Sequence, residues 1–264
     1  MILTVDIGNT NICIAVHPDD SPSPVFFERI HTDREKGREH YAEDLRTILE
    51  LHGVAPGVIR DAALSSVVPS VKEALLHAMR SVLSCRILPV SSALSLGYGS
   101  HIEDLSTVGT DILCDVSGAL FLYGTPVITI DMGTATVVSF TDGTPSLSGV
   151  IINPGVRTSI NALSKNTSSL PSVSLEAPGH VIGTNTVDAM GSGIIYGTAS
   201  LLDGLIDRII EETGISDCRV AATGGLSSFI VPFCRHEIAH DETLLMKGMW
   251  RILQLNPGGI AEKP

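Results

Sequence analysis

Asp6-Ile7-Gly8-Asn9-Thr10 and Asp131-Met132-Gly133-Thr134-Ala135 are two copies of one short pattern, separated by nearly half of the 264-residue chain. An apolar run precedes and follows each copy, at 1–5 and 12–16 around the first and at 127–130 and 137–140 around the second. This arrangement predicts a strand, a tight turn and a second strand, made twice.

The Asp and the Gly of each copy suit phosphate binding. An Asp at the end of a buried strand can hold a hydrated cation, and a Gly two residues later lets a phosphate approach backbone N–H groups. The alternative is an ordinary hairpin turn, because Asp and Gly are common turn residues. Two copies at this spacing favour two turns that face each other and clamp a polyphosphate.

Charge and composition exclude several classes of protein. The net charge of −12 opposes nucleic-acid binding, and the charged segment at 34–39 mixes both signs, so we interpret it as solvated. Asp6 interrupts the first apolar run and no apolar run reaches 18 residues, so we expect neither a secretory signal nor a membrane span. Five scattered cysteines predict free thiols in a reducing, cytoplasmic compartment.

Strand and helix patterns alternate along the whole chain, which predicts an α/β fold. Further strands are expected at 25–30, 62–68, 87–90, 147–152 and 220–222, and helices at 40–51, 71–83, 111–122, 188–212 and 242–253. A turn at 153–155 is expected to open a further helix that continues through Leu163. The helix at 188–212 is dense in Gly and Ala, which suits close packing against another helix. The repeat predicts two lobes, at 1–110 and 111–264.

The order of seven short motifs resembles the type III pantothenate kinases, which belong to the superfamily of acetate and sugar kinases, actin and heat-shock chaperone ATPases. The motifs are D-I-G-N-T at 6–10, G-T-D at 109–111, D-M-G-T-A at 131–135, I-N-P-G at 152–155, N-T-S-S-L-P at 166–171, I-G-T-N-T at 182–186 and T-G-G at 223–225. The resemblance implies two ribonuclease-H-like lobes, each a mixed β-sheet with flanking helices, and an ATP cleft between them. It also implies ATP-dependent phosphorylation of pantothenate to 4'-phosphopantothenate, the first step of coenzyme A biosynthesis.

The same resemblance implies a role for each matching residue. The nucleotide phosphates and adenosine are assigned to Asp6, Gly8, Asn9, Thr10, Gly133, Thr134, Ala135, Gly224 and Gly225. Asp6 and Asp131 are expected around Mg²⁺ and the transferred phosphate, and Asp111 matches the proposed catalytic base. Gly109, Thr110 and Asp111 are expected at the acceptor substrate, together with Thr186 contributed across the interface of a homodimer. From the residues alone, Asp111 and Thr186 are also candidate helix N-caps.

Four positions depart from the family pattern. Ile112 stands where family members usually have Arg, and Ile102 stands where they usually have Tyr. An Arg at position 112 would give a substrate carboxylate a charge-assisted partner worth roughly 1.5–3 kcal/mol, and Ile112 gives none. Val137 and Ser139 replace a Thr and an Asp, and that Asp is linked in the family to a bound monovalent cation. A K⁺ or NH₄⁺ site is therefore expected to be weakened here.

Two alternatives follow from these departures. One is a paralogue that phosphorylates a different small hydroxyl compound. If pantothenate is instead still the acceptor, Arg157 is a candidate for the positive charge that replaces the missing Arg. The other is a nucleotide-binding regulatory protein with little turnover. A P-loop kinase is excluded because the chain contains no G-x-x-x-x-G-K-[ST] sequence.

Overall fold

The computed structural model describes residues 1–166 and 175–258, in which strands and helices alternate as the sequence predicts. The strands are β1 (Ile2–Ile7), β2 (Asn11–His17), β3 (Phe26–His31), β4 (Asp61–Ser66), β5 (Arg86–Pro89), β6 (Gly99–Ser100), β7 (Val127–Met132), β8 (Ala135–Thr141), β9 (Ser146–Pro154), β10 (Arg219–Thr223) and β11 (Ala239–His240). The helices are α1 (Arg38–Leu51), α2 (Pro69–Val82), α3 (Thr110–Tyr123), α4 (Val156–Asn166), α5 (Thr186–Thr213), α6 (Ser227–Ile230) and α7 (Leu244–Leu255). The motif at 166–171 lies, after its first residue, outside the described residues.

Two compact units carry sheets of the same topology. The first unit comprises Met1–Leu122 with 243–258, and its strands run in the order β3-β2-β1-β4-β5. The second unit is Tyr123–Glu242, and its strands run in the order β9-β8-β7-β10-β11. In each, two antiparallel hairpin pairings lie on one side of the central strand and two parallel pairings on the other. The predicted duplication of a mixed sheet with flanking helices is confirmed.

Strand β1 shows how the alternating pattern covers both faces of the first sheet. Leu3, Val5 and Ile7 are buried in a core formed with α1 and α2. Ile2 is buried in a second core formed with α3 and α7. Because successive side chains of a strand point to opposite faces, Asp6 lies on the same face as Ile2, towards α3 and α7.

Helix α3 belongs to the first unit, so the structure groups the chain differently from the predicted division at 110/111. Its close contact with α7 is the physical reason. A Cβ added at Gly248 would lie 1.8 Å from the Cys114 carbonyl oxygen, and one at Gly118 would lie 2.6 Å from the Leu244 carbonyl oxygen. Only glycines allow the two backbones to approach this closely. The C-terminal helix therefore returns to the first unit, a long-range contact that the local sequence pattern does not encode.

The core of the second unit lies on one face of its sheet. Ile128, Ile130 and Met132 of β7 pack there with residues of α4 and α5. Helix α5 is long and apolar enough, by length and composition, to be a candidate membrane span, with 44% of the relevant window buried. Leu202 and Ile206 on its buried face belong to this core, as is usual for a core helix.

Candidate functional site

The first Asp-x-Gly turn closes the β1–β2 hairpin. Ile7 pairs with Ile12, and the Gly8 N–H donates to the Asn11 carbonyl at 3.0 Å. Asn9 and Thr10 at its tip are exposed. The predicted strand–turn–strand structure is confirmed, and the Asn9 and Thr10 residues at its tip are exposed to solvent.

The segment that follows β3 braces this turn. The Thr32 N–H donates to the Thr10 carbonyl at 2.9 Å, and the Thr32 hydroxyl donates to the Gly8 carbonyl at 2.7 Å. The Arg34 guanidinium donates to Asn9 Oδ1 at 3.2 Å. Arg34 is exposed, as expected of a solvated segment, but its contact with the turn was not predicted.

Parallel pairing of β1 with β4 brings the G-T-D motif beside Asp6. Asp6 is 6% exposed and lies opposite Ser65 in the register of the two strands. The Ser65 hydroxyl is hydrogen-bonded to the Thr110 hydroxyl at 2.9 Å. Thr110 also accepts from the Ser66 N–H at 3.0 Å and donates to the Ser66 carbonyl at 3.1 Å. Thr110 thus attaches the start of α3 to the carboxyl end of β4.

Asp111 is the second residue of α3, because the helix begins at Thr110. Its Oδ1 accepts from the Ile112 N–H at 2.8 Å. Burial raises the pKa of the Asp111 carboxyl above its usual range, while hydrogen bonds from the Ile112 and Asp111 backbone act in the opposite direction. A partly buried carboxylate with a raised pKa is a better proton acceptor than a solvated one, as a general base requires.

Gly109 leaves room for this carboxylate. A Cβ at position 109 would lie 2.3 Å from Asp111 Oδ1, whereas its next contacts, to Asp111 Cγ and Val67 Cγ1, would be ordinary ones at 3.4 and 3.5 Å. The glycine of the G-T-D motif is therefore needed for the position of the Asp111 side chain and not for the fold of the loop.

Three carboxylates of the first unit act on one buried thiol. Burial, followed by the charges of Asp6, Asp115 and Asp111, raises the pKa of Cys114 well above its ordinary value. The register of β1 with β4 and the Ser65–Thr110 hydrogen bond bring Asp6 and the start of α3, which carries Asp111, into one region of the first unit. Asp115 is 2% exposed and was missed, although its position one helical turn after Asp111 is a signal in the sequence.

The second Asp-x-Gly turn closes the β7–β8 hairpin. Met132 pairs with Thr136, and the Gly133 N–H donates to the Ala135 carbonyl at 3.0 Å. A Cβ at Gly133 would come no closer than 3.5 Å to any atom outside its neighbours. The fold of this turn therefore leaves space at Gly133, on the surface where a phosphate is expected.

The I-N-P-G motif braces this second turn. The Gly155 N–H donates to the Thr134 carbonyl at 3.2 Å, and the Thr158 hydroxyl donates to the same carbonyl at 2.8 Å. A Cβ at Gly155 would lie 2.4 Å from the Thr134 carbonyl oxygen and 2.5 Å from that of Gly133. Strand β9 extends through Pro154, so Gly155 alone makes the connection to α4 that was predicted as a turn at 153–155.

The T-G-G motif lies against the first residues of the same turn. Gly224 has φ +92°, and a Cβ there would lie 2.6 Å from both Asp131 Oδ1 and the Met132 nitrogen. The Ser227 hydroxyl donates to the Gly224 carbonyl at 2.6 Å, and Gly225 is exposed beside it. The second unit therefore brings Asp131, Gly133, Thr134 and Gly224 together, as predicted.

Thr186 lines a groove of about 720 Å³ between α4 and α5. It is exposed and is the first residue of α5, whose N-cap is Asn185, with a side chain that accepts from the Asp188 N–H at 3.0 Å. The alternative that Thr186 is the N-cap is therefore wrong, because the side-chain oxygen of Asn185 already accepts a hydrogen bond from the first turn of the helix.

Two of the departures from the family pattern, Ile112 and Ser139, are buried uncharged residues. Ile112 is 9% exposed, and Ser139 is 3% exposed opposite Thr129, another uncharged side chain. Arg157 is exposed on α4. Ile112 and Ser139 therefore supply no charge where the family pattern has an Arg and an Asp.

The donor set suits a divalent metal carried on phosphates. Asp6 and Asp131 are hard oxygen donors at the ends of β1 and β7. In the part of the chain that the structure describes, no three His, Cys, Asp or Glu side chains converge as a metal-binding group. Mg²⁺ bound to a nucleotide takes as few as one carboxylate and completes its octahedron with phosphates and water, which fits each of these residues by itself.

Comparisons of structure agree with the two-unit architecture. A putative Baf family transcriptional activator from Campylobacter jejuni has a TM-score of 0.61 at 17% identity, over 97% of this chain and 98% of that chain. A putative 2-dehydro-3-deoxygalactonokinase from Sinorhizobium meliloti has a TM-score of 0.59 at 11% identity, over 96% and 98%. At these identities the likeness concerns the fold alone.

Comparisons of sequence identify the family. The profile described as type III pantothenate kinase matches residues 2–208. The type III pantothenate kinase of Shouchella clausii is 33% identical over 97% of this chain and 100% of its own length. That of Bifidobacterium animalis subsp. lactis is 34% identical over the same two shares. The profile match over most of the chain and these relatives together show that this chain belongs to the type III pantothenate kinase family.

Proposed function

We propose that this protein phosphorylates pantothenate at its hydroxyl with ATP, giving 4'-phosphopantothenate for coenzyme A biosynthesis. The observation that supports the proposal is the placement of Asp111, which follows Thr110, the residue whose hydroxyl is hydrogen-bonded to Ser65 opposite Asp6 at the first turn. Family membership implies a kinase that uses ATP and a divalent metal.

In the proposed mechanism, the chain contributes orientation and proton transfer. Asp111 accepts the proton of the attacking hydroxyl, while backbone N–H groups beside Gly8 and Gly133 hold the phosphate oxygens. Asp6 and Asp131 would hold Mg²⁺, which when bound neutralises phosphate charge. The Ser227 hydroxyl holds the Gly224 carbonyl, and the missing side chains of Gly224 and Gly225 leave room for the adenine base to lie against the backbone.

One observation, the buried Ile112, favours a second class of acceptor substrate, namely small hydroxyl compounds without a carboxylate. Pantothenate carries a carboxylate, and Ile112 gives that group no charged partner where the family pattern has Arg. An enzyme without such a partner would accept neutral analogues of pantothenate as readily as pantothenate itself.

The acceptor test uses pantothenate and pantothenol, in which a CH₂OH group replaces the carboxylate. ADP release is measured with each acceptor and with none, and the phosphorylated products are identified by mass. Pantothenate is expected to be the better acceptor by kcat/KM, and the Arg157→Gln variant shows whether that side chain supplies the missing charge. If the folded protein consumes no ATP in the presence of either acceptor, the proposal is contradicted. Equal kcat/KM values for both favour the second acceptor class.

We also propose that the monovalent cation is dispensable. Ser139 is uncharged and buried, and an uncharged hydroxyl is a poor substitute for a carboxylate ligand of K⁺ or NH₄⁺. Rates at constant ionic strength are therefore expected to be the same in K⁺, NH₄⁺ and Na⁺. A large increase in K⁺ or NH₄⁺ would contradict this proposal.

A homodimer that shares Thr186 across its interface is supported by the exposed face of α5. Gly193, Gly197 and Leu201 follow one another at four-residue spacing on that face, and a Cβ at either glycine would meet nothing within 4 Å. The close helix packing predicted from these glycines is thus not made within the described chain. A second copy of α5 is the partner we propose.

Mixing two inactive variants tests the shared site. Asp111→Asn and Thr186→Val dimers are dissociated, mixed in equal amounts and reassociated. If Thr186 acts in the partner's site, each mixed dimer has one intact site, and about a quarter of wild-type activity returns. No recovery, with mixed dimers verified by mass, contradicts sharing. The variant Leu201→Glu is expected to be monomeric, and Leu51→Glu, at an exposed position of the first unit, serves as its control.

The free cysteines also support a cytoplasmic location, since no disulfide is formed among the five. Localisation of a tagged protein by cell fractionation tests this.

A further inference from the structure

Two sets of contacts hold Arg34 beside the first phosphate turn, one from its own side chain and one from Thr32, two residues before it. Its guanidinium donates to Asn9 Oδ1 at 3.2 Å, and both side chains are exposed. Two residues earlier, Thr32 is 5% exposed and makes the two hydrogen bonds to the turn backbone described above. The position of Arg34 is therefore fixed relative to the turn by its own segment of chain.

The residues on either side of Arg34 in the loop at 33–36 are held by contacts away from the turn, partly with α1. The Tyr41 hydroxyl donates to the Asp33 carbonyl at 2.6 Å, and the Glu35 N–H donates to Asp33 Oδ1 at 2.9 Å. Lys36 forms an ion pair with Asp44 of α1. These contacts anchor the loop to α1, so that the Arg34 side chain projects from a braced loop.

A guanidinium in this position has donors to offer a second acceptor. Arginine carries five N–H groups in a planar fork that matches phosphate geometry, and the amide of Asn9 occupies one nitrogen. Asp6 begins the same turn, and it lies opposite Ser65, whose hydroxyl is hydrogen-bonded to Thr110 next to Asp111. The exposed fork therefore lies beside the tip of the turn that is proposed to hold the nucleotide phosphates.

We propose that Arg34 binds an oxygen of the terminal phosphate of ATP, the group that is transferred, while Asn9 holds its guanidinium in place. This inference rests on the proposed kinase function. It adds a cation to a phosphate turn whose own five residues include none, in a chain with a net charge of −12. A positive charge here offsets the charge that spreads over the phosphoryl oxygens in the transition state.

The test measures MgATP and MgADP binding by calorimetry in the absence of acceptor. The variants are Arg34→Gln, Arg34→Lys and the control Arg38→Gln, which removes the same charge four residues further on, at the exposed start of α1. Arg34→Gln is expected to weaken MgATP binding by about tenfold and to leave MgADP binding within about twofold. Arg34→Lys restores part of the loss, because it keeps the charge and loses the fork, and Arg38→Gln changes neither affinity.

Three results would overturn the inference. They are unchanged MgATP affinity in Arg34→Gln, an equal loss for MgADP, and, in steady-state kinetics of the same variant, a rise in KM for pantothenate alone, which would place Arg34 at the acceptor carboxylate. Wild-type protein that binds MgATP but does not phosphorylate pantothenate removes the proposed function and leaves this binding test valid. Wild-type protein that binds no MgATP removes both.

Discussion

Replacing Gly109 with Ala should disable the proposed base without unfolding the protein. The added Cβ would lie 2.3 Å from Asp111 Oδ1, about 1 Å closer than ordinary van der Waals contact allows. The oxygen is the end of a side chain, so it moves, and its hydrogen bond from the Ile112 N–H at 2.8 Å is lost. A displacement of this size costs about 10²-fold in rate when it separates reacting groups.

The assay combines steady-state kinetics with thermal unfolding. In Gly109→Ala, kcat should fall by about 10²-fold, while the unfolding temperature and the affinity for MgATP stay near wild type. Gly57→Ala is the matched control, because a Cβ at this exposed glycine of the same unit meets nothing within 4 Å. The reasoning is refuted if Gly109→Ala keeps wild-type kcat. It is equally refuted if the variant loses activity only because it unfolds.

Three further predictions concern turns, acid stability and the pH profile. Gly133→Ala should fold normally and bind MgATP weakly, whereas Gly155→Ala should lose about 1–3 kcal/mol of stability from the clash with the Thr134 carbonyl; urea unfolding and calorimetry separate them. Burial lowers the pKa of His17 to about 4, so the unfolded chain takes up the proton more readily and stability is lost as pH falls from about 6.5 towards 4. Urea unfolding should show a loss of about 2 kcal/mol at pH 5 that His17→Gln abolishes, and an unchanged loss in that variant would assign it to other groups. Because burial raises the pKa of Asp111, kcat/KM should fall on the acid side at a higher pH than an ordinary carboxyl would give; an acid limb at ordinary carboxyl pH contradicts this.

The architecture follows from local patterns in the sequence. Apolar runs on both sides of each Asp-x-Gly pattern were sufficient to predict the β1–β2 and β7–β8 hairpins, because a hairpin is specified by adjacent residues. Alternation in β1 also places Asp6 on one face of the sheet and Leu3 and Val5 on the other. The grouping of α3 with α7 was not predictable in this way, since it depends on Gly118 and Gly248, which are far apart in the chain.

The site was predictable as a set of motifs but not as a set of contacts. The roles of Gly155 and Thr158 in bracing the second turn depend on the return of β9, which no local pattern specifies. Arg34 was interpreted as part of a solvated segment because its neighbours carry mixed charge, and only the packing of Thr32 on the turn brings it to Asn9. Asp115 was missed although it lies one helical turn after Asp111, because its burial in an otherwise apolar helix shows only in the packing.

The most direct measurement is the initial rate of 4'-phosphopantothenate formation by wild type and by Asp111→Asn, with MgATP affinity measured on the same preparations. Asn keeps the size of the side chain and removes its capacity to accept a proton. Wild type should form the product, and Asp111→Asn should bind MgATP normally while its rate falls by about 10²–10⁴-fold. A wild-type rate in Asp111→Asn, or a folded wild-type protein that forms no product, would contradict the account.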